Sequence, residues 1–303
     1  MNYLITGGMG LIGTALYKKL KKKGNKIYLI DNKKIKISKR DLNYKKVDIT
    51  KEKLKLKKYI NDKKIKVLIH LAAFLGVADT EKNPKKVMNV NFSGTKNVLD
   101  ACDKSKVKQF IFSSSSEIYG DQNKKFTETL HPRPKSLYGF SKWQAELLVK
   151  DFCSKRKINY KIVRFFNVYG PRQKNAFVIP KFIKLALNNK NISIYGNGNQ
   201  IRSFCFLEDA IEGLNQVIKF GKKNTIYNIG NDKEPITVIN LAKKIIKASN
   251  SKSKIKKIPF YLSDRKKNRE IFKRIPNIKK IKSDTGYNPQ TNLLGGINRI
   301  LKN

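Results

Sequence analysis

Acidic side chains are scarce in this 303-residue chain: 22 Asp and Glu stand against 67 Lys and Arg, for a formal net charge of +45. Cysteine is scarcer still, with Cys102, Cys153 and Cys205 scattered, odd in number and never spaced as Cys-x-x-Cys. That excludes a disulfide framework and a cysteine zinc site, and it predicts a reducing, cytoplasmic setting. His70 closes an apolar run and His131 sits in a proline-flanked loop. Neither stands near a plausible ligand cluster, so no metal is expected. The longest apolar run, Val67 to Ala78, contains His70 and is too short to cross a bilayer, so no membrane partner is expected. No secretory signal is expected either, because Met1-Asn2-Tyr3-Leu4-Ile5 leads straight into a glycine-rich turn. No low-complexity tract or internal repeat is visible. A hydrophobic content of 40% suffices for one large domain or two unequal ones.

A chain this basic attracts polyanions, which makes nucleic acid a partner to weigh. Its lysines are spread along the whole length beside abundant Asn and Ile, and all three have AT-rich codons. No nucleic-acid-binding motif accompanies the charge, so nucleic acid is not expected as a partner. The same field would help to attract an anionic small substrate.

What the chain does have is alternation. Tyr3–Thr6, Lys26–Asp31, Val67–Ala72, Gln109–Ser113 and Lys161–Asn167 are short, nearly continuous apolar runs, as fully buried parallel strands are. Between them lie helical patterns: Ile12, Leu16 and Leu20 share one face, with Gly24 at a C-terminal cap position. Further helices are expected from Pro84 to about Lys104 and from about Tyr138 to Arg156. This predicts an α/β fold with a doubly wound parallel sheet. The rhythm changes after residue 168, at Tyr169-Gly170-Pro171-Arg172, and Ile226–Ile229 again reads as a strand that returns to the sheet.

Thr6-Gly7-Gly8-Met9-Gly10-Leu11-Ile12-Gly13 joins the first strand to the first helix. Glycines there permit positive φ and close approach of backbone to a pyrophosphate, and the helix N-terminus offers free N–H groups to that anion. The second strand ends in Asp31, followed by Asn32, where a carboxylate accepts hydrogen bonds from ribose hydroxyls and repels a 2′-phosphate. NAD is therefore favoured over NADP, with Lys33 and Lys34 pulling the other way. Asp48-Ile49 closes the expected third strand, where the carboxylate reaches the adenine amino group.

Tyr138-Gly139-Phe140-Ser141-Lys142 places a phenol and an ammonium one helical turn apart. A nearby cation is expected to lower the phenol pKa toward neutrality, so that Tyr138 removes a hydroxyl proton while hydride leaves the same carbon. Tyr17–Lys21 and Tyr59–Lys63 share the spacing. Only the pair at Tyr138 follows a buried strand ending in serines, Ser113-Ser114-Ser115-Ser116.

These residues together resemble the extended short-chain dehydrogenase/reductases, specifically the NAD-dependent nucleotide-sugar epimerase/dehydratase family. The likeness covers essentially the whole chain. It rests on Thr6–Gly13, His70-Leu71-Ala72-Ala73, Asn91-Phe92-Ser93-Gly94-Thr95, Ser115–Gly120, Tyr138–Lys142, Arg164–Arg172 and Arg202–Asp209. The resemblance implies a Rossmann domain over residues 1–168, with returning segments near 203–232, and a smaller, mainly substrate-binding domain over 169–303. It implies Tyr138 as general base, Lys142 as ligand of the nicotinamide ribose, and Ser115 at the reacting hydroxyl. Gly7, Gly10, Leu11, Ile12, Gly13, Asp31, Asn32, Asp48 and Ile49 would bind NAD. Leu71, Ala72, Ala73, Asn91 and Ser113 would line the rest of the cofactor cleft. Ser116, Asn167, Arg202 and Arg265 are the further substrate residues it implies; Asn167 also suits a turn cap and Arg202 a surface charge. A homodimer built on the helices after the fourth and fifth strands is expected in the same way.

All members so described begin by oxidising a nucleotide sugar at C4, and the fate of the 4-keto sugar separates a UDP-sugar 4-epimerase from a 4,6-dehydratase or a UDP-glucuronate-type decarboxylase. Glu117 has two readings, as the base at C5 that the last two reactions need or as a partner for one of many lysines. Arg202-Ser203-Phe204 resembles the decarboxylase version, whereas Phe126-Thr127-Glu128-Thr129 through Ser136-Leu137-Tyr138 reads like an epimerase. The Asp that usually precedes the dehydratase Glu is absent, since position 116 is Ser. By abundance the expectation is a 4-epimerase. The rivals of other classes are a nonenzymatic NAD-binding protein, against which the intact Ser115, Tyr138 and Lys142 argue, and a nucleic-acid binder.

Overall fold

The computed structural model describes residues 1–21, 24–33, 43–262 and 270–302. Strand β1 (Asn2–Thr6) leads through α1 (Leu11–Lys21) to β2 (Lys26–Asp31), β3 (Tyr44–Lys46), α2 (Lys53–Asp62) and β4 (Val67–His70). Next come α3 (Val77–Lys82), α4 (Pro84–Met88), a π-helical turn (Asn89–Ser93), α5 (Gly94–Cys102) and β5 (Gln109–Ser115). A 3-10 turn (Ser116–Tyr119) precedes α6 (Leu137–Lys155) and β6 (Asn159–Phe165). The later elements are β7 (Val168–Tyr169), α7 (Val178–Leu187), β8 (Ile192–Tyr195), β9 (Ile201–Arg202), β10 (Cys205–Phe206), α8 (Leu207–Phe220) and β11 (Thr225–Ile229). They are followed by β12 (Ile236–Thr237), α9 (Val238–Ala248), β13 (Ile255–Ile258), β14 (Lys273–Arg274), α10 (Lys279–Thr285) and α11 (Leu293–Leu301).

Seven parallel strands form one sheet in the order β11-β6-β5-β4-β1-β2-β3. The expected strand at Ile226–Ile229 does return to it, as part of β11 beside β6. Period-two alternation sends successive side chains to opposite faces. Tyr3, Ile5, Val67, Ile69, Ile111 and Val163 pack on the side of α1 and α8. Leu4, Leu68, Phe110, Phe112 and Ile162 pack on the side of α2, α5 and α6. Helices α7, α9 and α11 enclose a further core around Ile192 and Ile194 of β8. Chain order reverses between β1 and β4, and the loops leaving their C-terminal ends face each other across that point, where open α/β sheets bind ligands.

Four expected boundaries are corrected. Strand β4 stops at His70 because the Leu71 and Ala72 N–H groups turn to the carbonyl and hydroxyl of Thr6. The third strand ends at Lys46 and does not reach Asp48-Ile49. Asp48 instead holds a turn, its Oδ1 accepting from the N–H and the hydroxyl of Thr50. The helix expected from Pro84 to Lys104 is interrupted by the π turn, whose extra residue rotates Asn91 inward. Strand β6 ends at Phe165, before Asn167, which takes φ 38°, a left-handed conformation no strand contains. Among the described residues no helix is long and apolar enough to cross a membrane.

Candidate active site

The glycine turn is a cradle that a side chain would fill. Gly7 has φ 67°, and a Cβ there would lie 2.7 Å from Ala72 N; a Cβ on Gly13 would lie 2.4 Å from Gly7 O. Gly10 N–H closes the turn onto Gly7 O at 3.0 Å, leaving Leu11, Ile12 and Gly13 as first-turn donors without intrahelical acceptors. Asp31 braces the turn, Oδ2 accepting from Met9 N–H at 3.0 Å and Oδ1 from Lys33 N–H at 3.3 Å. Asn32 is exposed and Asp48 half-buried; Ile49 is buried against the backbone of Gly94. The open cradle, the free donors and the ribose-height carboxylate fit a dinucleotide.

Behind the cradle, a hydrogen-bond chain fixes a tautomer. Thr95 Oγ1 gives its one proton to Asn91 O at 2.6 Å, so at 3.0 Å from His70 it must accept, and His70 Nε2 donates. His70 Nδ1 then accepts from Thr6 Oγ1 at 2.6 Å, and that oxygen accepts from Ala72 N–H. His70 is neutral, its pKa pushed down to about 3 by burial and then by the Lys142 charge. Asn91 carries the chain onward. Its amide brackets Phe74 N–H and C=O at 2.8 and 3.0 Å and donates to Ser141 Oγ at 3.1 Å, which donates to Tyr138 O.

Strand β5 delivers the serines. Ser113, Ser115 and Ser116 are all buried at its end, and Ser115 Oγ accepts from Glu117 N–H at 3.2 Å to start the 3-10 turn. Ser136 caps α6 by accepting from Gly139 N–H at 3.1 Å and donates to Glu117 Oε2 at 3.0 Å. Gly139 lets the two elements touch, since a Cβ there would sit 2.8 Å from Glu117 O. Tyr138 is thereby brought beside Ser115, whose hydroxyl works to lower the phenol pKa. Lys142 follows one turn later, 1% exposed, with Nζ 4.5 Å from the centroid of the Phe112 ring.

The electrostatics correct the sequence expectation. The phenol of Tyr138 is pushed up to about 12, not down: burial dominates, the Ser115 hydrogen bond opposes it, and Glu117 and Arg274 act in opposite senses. Burial likewise pushes Lys142 down to about 7, against the pull of Glu146. The protein thus supplies both groups largely desolvated. Bound beside them, the cationic nicotinamide ring would favour the phenolate.

The remaining expected residues fare unequally. Among the described residues Glu117 pairs with an arginine: Oε1 takes Arg274 Nη2 at 2.7 Å, and both side chains are buried. Asn167 Nδ2 donates to Ser203 O at 2.8 Å, and its Oδ1 accepts from Arg274 Nη1 at 3.5 Å. Arg202 is half-buried and forms an ion pair with Glu270 at 2.5 Å. Arg265 lies outside the described residues. Sequence reasoning missed Arg274, Ser136, Glu146 and Arg164. Ser136 carried a legible signal as a serine just before a helix. Arg274 carried none, because its partner Glu117 is 157 positions away. Among the described residues no group of His, Cys, Asp and Glu is arranged to hold a metal ion.

Comparison with known proteins places this geometry. The chain is 34% identical over 81% of its length to a dTDP-D-glucose 4,6-dehydratase of Dictyostelium discoideum, spanning 62% of that protein. It is 33% identical to a UDP-N-acetyl-alpha-D-glucosaminuronate decarboxylase of Bacillus cytotoxicus, with 99% of this chain and 96% of the relative covered. Among solved structures, a UDP-glucose 4-epimerase of Thermotoga maritima with UDP-glucose superposes with a TM-score of 0.91 at 28% identity, covering 100% of this chain and 98% of that one. The pattern of the NAD dependent epimerase/dehydratase family matches residues 3–230. With three quarters of its residues inside that pattern and a relative matched almost end to end, the chain belongs to the NAD-dependent epimerase/dehydratase family.

Proposed function

We propose that the protein oxidises a nucleotide sugar at C4 and works as a UDP-sugar 4-epimerase. The observation that carries this reading is the placement of Tyr138, at the start of α6, beside Ser115, at the C-terminal end of β5, with Lys142 one turn beyond. Ser115 Oγ orients the C4 hydroxyl and Tyr138 Oη takes its proton. Lys142 bonds the nicotinamide ribose and holds positive charge near the phenol. Gly7, Gly10, Leu11, Ile12 and Gly13 hold the pyrophosphate, Asp31 and Asn32 the adenosine ribose, and Asp48 and Ile49 the adenine side. Leu71, Ala72, Ala73, Asn91 and Ser113 line the cleft. NAD supplies the hydride acceptor. Ser116 and Asn167 face the substrate, and Arg202 and Arg265 serve its diphosphate, Arg202 exchanging Glu270 for that anion. Epimerisation needs no acid or base beyond these, only room for the 4-keto sugar to turn.

A second reading, a UDP-glucuronate-type decarboxylase, is favoured by the Glu117–Arg274 pair, which presents a buried guanidinium beside Tyr138 with Nε lacking a hydrogen-bond partner. Such a group suits a sugar carboxylate. Dehydration has less support, because Ser116 is no acid and Glu117 is tied to Arg274 and Ser136. Incubation with UDP-, dTDP-, GDP- and CDP-sugars, including uronic acids, decides by product mass. Unchanged mass with a new sugar is the expected outcome. Loss of carbon dioxide or of water replaces the epimerase, and no turnover of any sugar overturns the C4 chemistry.

We further propose a division into residues 1–168, with returning segments near 203–232, and a substrate-binding part over 169–303. A homodimer fits the exposed Phe140 and Leu147 on α6, at 39% and 44%. A cytoplasmic location accords with three free cysteines.

A further inference from the structure

We propose that Glu146 is a positioning residue for the reaction: braced by Arg164, its carboxylate serves as the fixed counter-charge of the Lys142 ammonium. This rests on reading Tyr138 and Lys142 as the reacting pair. Glu146 follows Lys142 by one turn of α6 on the same face, and each is 1% exposed. The Lys142 ammonium lies over the apolar face of Phe112, which attracts a cation but does not solvate it as water does. A buried cation needs an anion nearby to stay charged.

Glu146 is held from behind. Arg164 on β6 grips it with Nε to Oε1 at 3.0 Å and Nη2 to Oε2 at 2.7 Å, a bidentate pair with both side chains at most 3% exposed. Arg164 Nη1 donates to Tyr119 Oη at 2.9 Å, which donates to Asn228 Oδ1 at 2.7 Å on β11. The carboxylate is therefore braced through β6 and β11 and is held in place one helical turn from Lys142.

The titratable groups around Lys142 are few. Tyr138 and Glu146 share its helix, with Glu117 and Arg274 beyond Tyr138. His70 at the end of β4 is neutral, and Arg164 acts from β6 through Glu146. Strand β5 and the π turn contribute no titratable side chain. Of these, Glu146 is the one that opposes the discharge of Lys142 by burial.

The test reads Lys142 through folding. Because burial holds its folded pKa at about 7, below the 10.5 of the free side chain, stability rises with pH between those values, and Lys142→Met removes the rise. Melting temperature against pH is compared for the purified chain, Lys142→Met, Glu146→Gln and Glu146→Gln/Lys142→Met. In Glu146→Gln the onset of the Lys142-dependent rise is expected about one pH unit lower. Arg164→Gln, which leaves the carboxylate unneutralised, should move the onset the other way, so either variant alone is decisive if the other does not fold. Glu146→Asp should restore the onset. A uniform drop in melting temperature with an unmoved onset overturns the proposal and leaves Glu146 a structural ion pair. The reading it rests on fails separately, if Lys142→Met turns over nucleotide sugars undiminished.

Discussion

Tyr138 sits in the structure with its phenol pushed up to about 12, although a lysine lies one turn away. The main reason is burial of the phenol itself, and Lys142 is likewise desolvated and falls to about 7. Replacing Tyr138 by Phe should lower nucleotide-sugar turnover by about 10²–10⁴-fold while melting temperature near neutral pH is kept. The same phenol leaves a mark on stability. Its folded pKa exceeds the ordinary 10.0, so the stability it contributes is present below pH 10 and is lost as pH rises through about 12. Tyr138→Phe should flatten that alkaline decline. Undiminished turnover in this variant, with unchanged product, would remove the phenol from the chemistry.

At the scale of elements, the site depends on how α6 docks against the 3-10 turn. Ser136 both caps α6 and bonds Glu117, and Gly139 permits contact with Glu117 O. Ser136→Ala should cost about 1 kcal/mol in urea unfolding through the lost cap, and should lower kcat more than it raises KM because Tyr138 loses its register against Ser115. A stability loss with kcat intact would show that the turn is positioned by other contacts. The π turn belongs to the same scale. Its inserted residue points Asn91 at both Phe74 and Ser141, linking the loop after β4 to α6.

For the whole molecule, the sheet order brings the glycine turn, the end of β4 and the end of β5 to one edge, while β9, β14 and the residues around them carry Arg202 and Arg274 over it. The outer face of α6 leaves Phe140 and Leu147 partly in solvent. Leu147→Glu is expected to convert a homodimer to monomer in sedimentation without loss of melting temperature at low concentration. An unchanged sedimentation coefficient would place the interface elsewhere or show a monomer. The charge of +45 remains a property of the surface at large, and the buried ionic groups include the pairs Arg164–Glu146 and Arg274–Glu117.

Local signals were enough for the strands, the glycine turn, Asp31 and the Tyr138–Lys142 spacing, because burial periodicity and backbone freedom are written in consecutive residues. The strand limits near Asp48 and Asn167 and the break at Asn89–Ser93 were not, since a tight turn onto Thr50 replaces the first, and Asn167 and Asn91 are held by residues far off in the chain. The partner of Glu117, the brace on Glu146 and the direction in which the Tyr138 and Lys142 protons are held belong to tertiary structure alone. Each is set by which groups folding removes from water and by which opposite charge it brings within reach, and neither quantity is a function of sequence spacing.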